Sequence, residues 1–290
     1  MRLAFLGTPE LAVESLRALV GAGHEVSVVI TRPDRRRGRG GELSSSPVKA
    51  AAESLGLAVR HRLADLAEFD VERGVVVAFG VIIPARVLEA VPMLNVHFSL
   101  LPRWRGAAPV ERAILAGDLE TGVCVMSVEE GLDTGPVHLE RRVDIDDKTA
   151  ARLTEEMARL GADALLEVLA SPELLAHARP QVGAATYADK LTAEAYHLTP
   201  TMSQALVLRT VRLGRAFTHV GGRRLRIAEA RAGAGDLAPG VVTQRNGEVV
   251  FGTADGEVVL GQVQPAGSRP MTASAWWAGA RLDPSDVQWS

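Results

Sequence analysis

The sequence predicts an α/β domain on a mostly parallel sheet, followed by a smaller, mostly β domain. Up to about residue 175, short apolar strands alternate with amphipathic helices, the pattern of a sheet covered by helices on both faces. Beyond residue 200 the texture changes to short strands punctuated by tight turns. At 290 residues, 47% hydrophobic and 23% charged, the chain can bury a sizeable core and is long enough for one large domain or two ordinary ones.

The first strand is RLAFLGT, ending at Gly7. PELAVESLRALVGAG carries Leu11, Leu16, Leu19 and Val20 at helical spacing and stops at Gly21 and Gly23. HEVSVVIT is the second strand. Residues 32–47 are rich in arginine and serine, show no period and read as a loop. SPVKAAAESLGL reads as a helix with Pro47 in its first turn. GVVVAFG is apolar on both faces, as a central parallel strand should be. PARVLEAVP is a short helix, MLNVHFS a strand, APVERAILAGD a helix and TGVCVMSVE a strand. The turn GLDTGP leads to the strand VHLERRVDI and then to a long amphipathic helix, TAARLTEEMARLGADALLEVLAS. These boundaries give a first domain over 1–180, a linker over 181–200 and a second domain over 201–290. In the second domain a helix near 202–215 precedes RNGEVVF and ADGEVVL, whose Asn-Gly and Asp-Gly pairs signal hairpins.

Composition also bounds the functional class. No apolar run approaches the ~18–20 residues that span a bilayer. The start, MRLAFLGTPELAVESL, lacks the long apolar block of a secretory leader. The single cysteine, Cys124, has no disulfide or CxxC partner. A reducing cytoplasm, no metal and a monomer are the expectations. The net charge of −3 is not that of a typical nucleic-acid binder. The positive charge is nevertheless concentrated: residues 32–39 hold five arginines against one aspartate, and 209–231 hold seven against one glutamate.

Gly7 follows the first strand, but GTPELA lacks the further glycines that let a backbone approach a pyrophosphate. A Rossmann-like sheet without a dinucleotide is the reading, which sets aside a dehydrogenase. Asn95 and His97 stand two apart, so on a strand they face the same side. In open α/β sheets ligands bind beyond the carboxyl ends of strands, where these two residues fall. Asp133, in the glycine-bracketed turn after the next strand, can join them if the strands are neighbours. An amide can hold a developing oxyanion, and an imidazole oriented and made more basic by a carboxylate can move protons. No serine, cysteine or lysine nucleophile stands in an activating context, so the trio fits direct group transfer between two bound substrates. Spacing alone leaves a second reading open, in which His97 is a hydrogen-bonded strand-end histidine and Asp133 a turn residue.

The segment NVHFSLLPRWRGAAPVERAILAGDLETGVCVMSVEEGLDTGPV resembles the core of the folate-dependent formyltransferases, with their Asn-x-His strand end, Ser-Leu-Leu-Pro and Gly-Leu-Asp-Thr-Gly. Within that family PRWRGAAP, FLGTPELAVESLRAL and TRPDRRRGRGGELSSSPVK resemble the branch acting on methionyl-initiator tRNA. TYADKL and QPAGSRPM agree, so the resemblance spans nearly the whole chain and is patchy after residue 190. It implies formyl transfer from 10-formyltetrahydrofolate to the free amino group of that tRNA's methionine, for translation initiation.

Asn95, His97 and Asp133 fall on the family's catalytic trio. Ser99, Leu100, Leu101 and Pro102 fall on its folate-binding segment, and Phe79, Gly80, Val81 and Ile82 on the loop beside the pterin pocket. Arg32, Arg35, Arg36, Arg37 and Arg39 fall on a loop that meets the acceptor stem, with Arg39 on its important arginine. Arg103 and Arg105 could take phosphate, and Trp104 between them could stack on a base or cover the pocket. Arg209 and Arg212 resemble in position the contacts of a C-terminal OB-like β-barrel, although RLGRAFTHVGG and YHLTP depart from the family's pattern there. Trp276 and Trp277 are expected to pack in the core. Two other readings are weighed: a formyltransferase for glycinamide ribonucleotide or a sugar amine, and a non-catalytic RNA-binding protein.

Overall fold

A computed structural model describes residues 1–37, 42–281 and 288–290. The chain divides into two compact units. Met1–Val110, Leu119–Asp144 and Leu153–Lys190 form the first, and Glu111–Asp118, Ile145–Arg152 and Leu191–Ser290 the second.

Along the first part of the chain the elements are β1 (Arg2–Gly7), α1 (Leu11–Gly21), β2 (Glu25–Ile30), β3 (Arg35–Arg37), β4 (Glu42–Ser44), α2 (Pro47–Ser54), β5 (Val59–Arg60), β6 (Arg73–Val77), α3 (Ala85–Ala90) and β7 (Met93–His97). Next come β8 (Arg105–Gly106), α4 (Pro109–Ala116), β9 (Glu120–Ser127), β10 (Val137–Asp144), α5 (Ala150–Ala170), α6 (Pro172–Ala176) and β11 (Tyr187–Ala188). Among the described residues seven strands make one sheet in the order β10-β9-β7-β6-β1-β2-β5. The five from β7 to β5 are parallel, while β9 runs against β7 and β10 against β9. The mostly parallel sheet is therefore as read, and the central strands are apolar on both faces: Leu3, Ala4, Phe5 and Leu6 of β1 are fully buried.

Glycines set two close approaches. A Cβ on Gly161, inside α5, would lie 2.7 Å from Val96 of β7, so α5 seats on the Val96 face only because that residue has none. Asn95 and His97, one residue to either side, take the opposite face. At Gly7 a Cβ would meet Phe5 at 2.8 Å and the carbonyl of Val77 at 3.0 Å. Its role is strand packing, in keeping with the missing glycine fingerprint.

Three stretches differ from the sequence reading. Residues 35–44 include a short antiparallel pair, β3 with β4, where a loop was expected. Its pairing is carried by backbone, and Leu43 is 69% exposed, so no apolar alternation announces it. The helix after it is as expected: Ser46 Oγ accepts from Lys49 N at 3.0 Å and Pro47 opens α2. Residues 181–190 were read as linker but belong to the first unit, where Tyr187 and Ala188 pair in parallel with Arg105 and Gly106. In the second hairpin of the β domain, the two-residue turn falls on Ala254 and Asp255, one position before the Asp-Gly signal, because Gly256 pairs with Thr253.

The second unit contains α7 (Gln204–Arg212), β12 (Phe217–Val220), β13 (Arg223–Ile227), β14 (Ala230–Ala232), β15 (Val242–Arg245), β16 (Glu248–Thr253), β17 (Gly256–Leu260), β18 (Gln262–Pro265), β19 (Met271–Thr272) and α8 (Ala273–Ala280). Among the described residues its strands form two four-stranded sheets, β12-β13-β18-β19 and β14-β17-β16-β15, around one apolar cluster. Asn246 and Gly247 both adopt positive φ, 52° and 83°, the requirement of the tight hairpin predicted at Asn-Gly. Trp276 is buried and Trp277 packs on the same cluster, as expected. Trp289 is buried too, stacks on Phe251 at 5.3 Å and donates to the carbonyl of Gly252 at 3.0 Å. No helix among the described residues is long and apolar enough to cross a membrane.

Candidate active site

The site grows out of the end of β7. Because β9 is antiparallel to β7, with Leu94 opposite Ser127, residues 128–136 leave at the amino-terminal end of β7. They return toward its carboxyl end and bring Asp133 Oδ2 to 3.6 Å from His97 Nδ1. The strands are neighbours, as the sequence reading required, but the turn reaches His97 by folding back. Asp133 holds φ +51°, a left-handed conformation that aspartate tolerates better than most residues. Its Oδ2 also accepts from the backbone N–H of Gly106 at 2.7 Å.

His97 is 5% exposed and anchored through Nε2, 3.0 Å from the carbonyl oxygen of Trp104, while Nδ1 stands 3.6 Å from Asp133 Oδ2, beyond hydrogen-bond distance. A carbonyl can only accept, so Nε2 carries a hydrogen and Nδ1 is the nitrogen turned to the carboxylate. Asn95, half-buried, shares this face of β7. Cys124 lies opposite His97 in the strand register, and burial pushes its thiol up to about 12. It stays protonated near neutral pH, which removes a thiolate–imidazolium pair from consideration.

The Ser-Leu-Leu-Pro corner has an internal job. Ser99 is fully buried, and its hydroxyl donates to the carbonyl of Arg103 at 2.5 Å. It shapes the turn that presents Trp104, so a hydroxyl exposed to folate is not what this position offers. Leu101 is buried, while Leu100 and Pro102 are partly exposed. Trp104 sits at φ +61°, donates its N–H to Thr186 Oγ1 at 2.9 Å and has the Arg103 guanidinium over its ring at 4.4 Å. Of the two readings of Trp104, base stacking is restricted by the arginine on its face. Phe79 is buried, and after Gly80 the chain exposes Val81 by 45% and Ile82 by 83%.

The described residues thus contain an amide and an imidazole on one strand face, a carboxylate against the ring, and an exposed apolar segment on the loop after β6. The family described as "Formyl transferase" matches residues 1–169, and "Formyl transferase, C-terminal domain" matches 206–281. The chain belongs to the formyl transferase family. It is 41% identical over 304 residues to the methionyl-tRNA formyltransferase of Jannaschia sp. (strain CCS1), covering 99% of each. Among solved structures it is similar to the methionyl-tRNA formyltransferase from Clostridium thermocellum, with TM-score 0.57 and 19% identity over 90% of this chain and all of that one. It is also similar to WlaRD, a sugar 3N-formyl transferase solved in the presence of dTDP and 5-N-formyl-THF, with TM-score 0.70 and 16% identity over 93% and 99%. These two likenesses bear on the fold.

The expected RNA-facing arginines of this formyltransferase divide into groups. Arg35 and Arg36 are exposed on β3, and Arg37 ends that strand. Arg39 lies outside the described residues. Arg32 donates instead to the carbonyl of Gly80, joining the arginine segment to the expected pterin loop. Arg103 is exposed. Arg105 bonds Gln181 Oε1 through Nε at 3.1 Å and Nη2 at 2.6 Å.

Arg209 and Arg212 were placed by resemblance among the tRNA contacts of the second domain, but the Arg212 side chain is engaged within the protein. It is half-buried, donates to the carbonyl of Asp146 and lies 3.9 Å from Asp147. Arg209 lies so close to Gly117 that a Cβ there would meet its guanidinium at 2.2 Å. These side chains hold residues 111–118 and 145–152 to α7, which explains why both segments cluster with the second unit. Arg212→Ala should cost about 1–2 kcal/mol of stability, as a lost bond to a part-buried carbonyl does, and leave the KM for tRNA within about twofold. Thermal melts and formylation kinetics check both; a KM effect without a stability effect would restore the tRNA contact. Arg215, Arg223 and Arg224 are exposed, Arg224 lying 3.8 Å over the Phe217 ring.

Proposed function

We propose that this chain transfers the formyl group of 10-formyltetrahydrofolate to the free amino group of methionyl-initiator tRNA, supplying the formylated initiator for translation. The observation that carries the acceptor is the 41% identity, over 99% of both chains, to a methionyl-tRNA formyltransferase. For the donor, the exposed apolar pair Val81 and Ile82 beside Gly80 fits the flat face of a pterin. Leu100 and Pro102 supply further partly exposed apolar surface.

Asn95 donates its amide N–H to the formyl oxygen as the amine attacks and the C=O electron pair moves onto oxygen. As the new C–N bond forms and the bond to N10 breaks, one proton leaves the attacking amine and one reaches N10. His97, held between Trp104 and Asp133, assists that movement at Nδ1. Among the described residues no activated nucleophile stands beside the trio, and the protonated Cys124 supports direct transfer without a formyl-enzyme.

The test offers formyl donor with three acceptors: charged initiator tRNA, glycinamide ribonucleotide and an amino sugar nucleotide. Only the tRNA should be formylated. Its KM should rise steeply with salt, and Arg35→Ala and Arg36→Ala should each reduce the log–log salt slope by about one contact. Formylation of another acceptor at comparable kcat/KM refutes the assignment, and a salt-independent KM refutes the phosphate contacts.

A further inference from the structure

We infer that Gln181 is a positioning residue for the reaction, acting through Asp133. Its side-chain Nε2 donates to the carbonyl of Asp133 at 2.8 Å and to that of Gly135 at 2.9 Å. Its Oε1 accepts from Arg105, Nε at 3.1 Å and Nη2 at 2.6 Å. Two carbonyls at one end and a guanidinium at the other admit one orientation of the amide; the flipped form would oppose acceptor to acceptor and donor to donor. Both amide hydrogens and the oxygen are thereby engaged.

What these bonds hold is the left-handed turn at Asp133, φ +51°, whose carboxylate stands at 3.6 Å from His97. The other end of the clamp is the residue before Gly106, and the Gly106 N–H fixes the same carboxylate at 2.7 Å. Gln181 therefore sets the spacing between the two backbone segments that aim Asp133 at the ring. The strap beyond it returns to the same corner: Thr186 Oγ1 accepts from Trp104 N at 2.9 Å, and its carbonyl accepts from Arg105 N at 2.9 Å. Trp104 in turn carries the carbonyl that meets His97 Nε2. One residue of an apparent linker thus controls the geometry of the His97–Asp133 pair without touching a substrate.

This rests on the proposed role of the trio. The decisive variant is Gln181→Glu, which keeps the size and the Arg105 contact but removes both donors to the turn. Gln181→Met, which removes all four bonds, is the second. Each should lower kcat by about 10–100-fold, the scale of a misplaced catalytic group, with KM for tRNA and folate within about threefold. In an Asp133→Asn background the same changes should cost less than about threefold more, because residues acting as a unit are not additive.

Full multiplication of the losses in the double variants, a loss confined to KM, or a loss that tracks the melting temperature in both variants overturns the proposal. Undiminished kcat in Gln181→Glu also overturns it. Asp133→Asn alone distinguishes the two levels: if it keeps full activity, the reading of the trio fails; if it is impaired while both Gln181 variants are not, only this inference fails.

Discussion

Replacing His97 with alanine is expected to lower kcat for formylation of methionyl-initiator tRNA by about 10²–10⁴-fold, the usual contribution of a positioned acid–base, with tRNA affinity largely kept. The ring is not part of a surface an RNA would cover: it is 5% exposed and enclosed between the Trp104 carbonyl and Asp133. Its removal takes the 3.0 Å ring partner from that carbonyl, which Ser99 Oγ also approaches at 3.4 Å, a cost of about 0.5–1.5 kcal/mol. His97→Gln separates the two effects, because glutamine can reach the carbonyl with an N–H but has no titrating nitrogen. The melting temperature should recover in His97→Gln while kcat stays as low as in the alanine variant. Recovery of kcat together with stability would mean that the imidazole only holds Trp104 in place, the strand-end reading that spacing left open. Single-turnover measurements with saturating donor make the comparison independent of product release.

Much of this site was legible before the fold. The two-residue period puts Asn95 and His97 on one face, and the apolar strand ending there locates them at the carboxyl end of a strand. Asp133 was legible as a residue but not as a path. Its approach depends on β9 running antiparallel to β7, and nothing local in TGVCVMSVE distinguishes the two directions. Ser99 was placed with the folate-binding segment by resemblance, and sequence does not show which side of a tight corner a residue takes; in the fold its hydroxyl bonds within its own turn. Arg212 looked like part of a basic surface because a charge run carries no information about burial. Gln181 was invisible for a deeper reason: its partners are two main-chain carbonyls and a guanidinium distant in sequence, so neither period nor charge marks it. The short β3–β4 pair was hidden in the same way, since an exposed, arginine-rich strand has no alternation to read. In each case what failed to show was a pairing decided by topology or by backbone, while side-chain periodicity was read correctly.

The second large effect is expected at Gly135, where alanine should lower kcat by about 100-fold and stability by about 1–3 kcal/mol. The obstacle is space: an added Cβ would lie 2.0 Å from the carbonyl oxygen of Ser127 and 2.9 Å from its carbon. Both atoms are backbone, and Ser127 N donates to the carbonyl of Pro136 at 2.9 Å, so the strand cannot yield without opening the turn. The turn must move instead, and Asp133 lies two residues before it. A shift there pulls the carboxylate from the Gly106 N–H and from His97, and takes the Gly135 carbonyl away from Gln181. Gly21→Ala is the control: it ends α1, nothing lies within 4 Å of its added Cβ, and alanine in a helix gains about 0.5–1 kcal/mol over glycine. It should leave kcat unchanged and raise the melting temperature slightly. If Gly135→Ala keeps kcat within about threefold of the parent, the turn tolerates a displacement larger than the His97–Asp133 geometry allows, and the carboxylate is not acting through its distance to the ring.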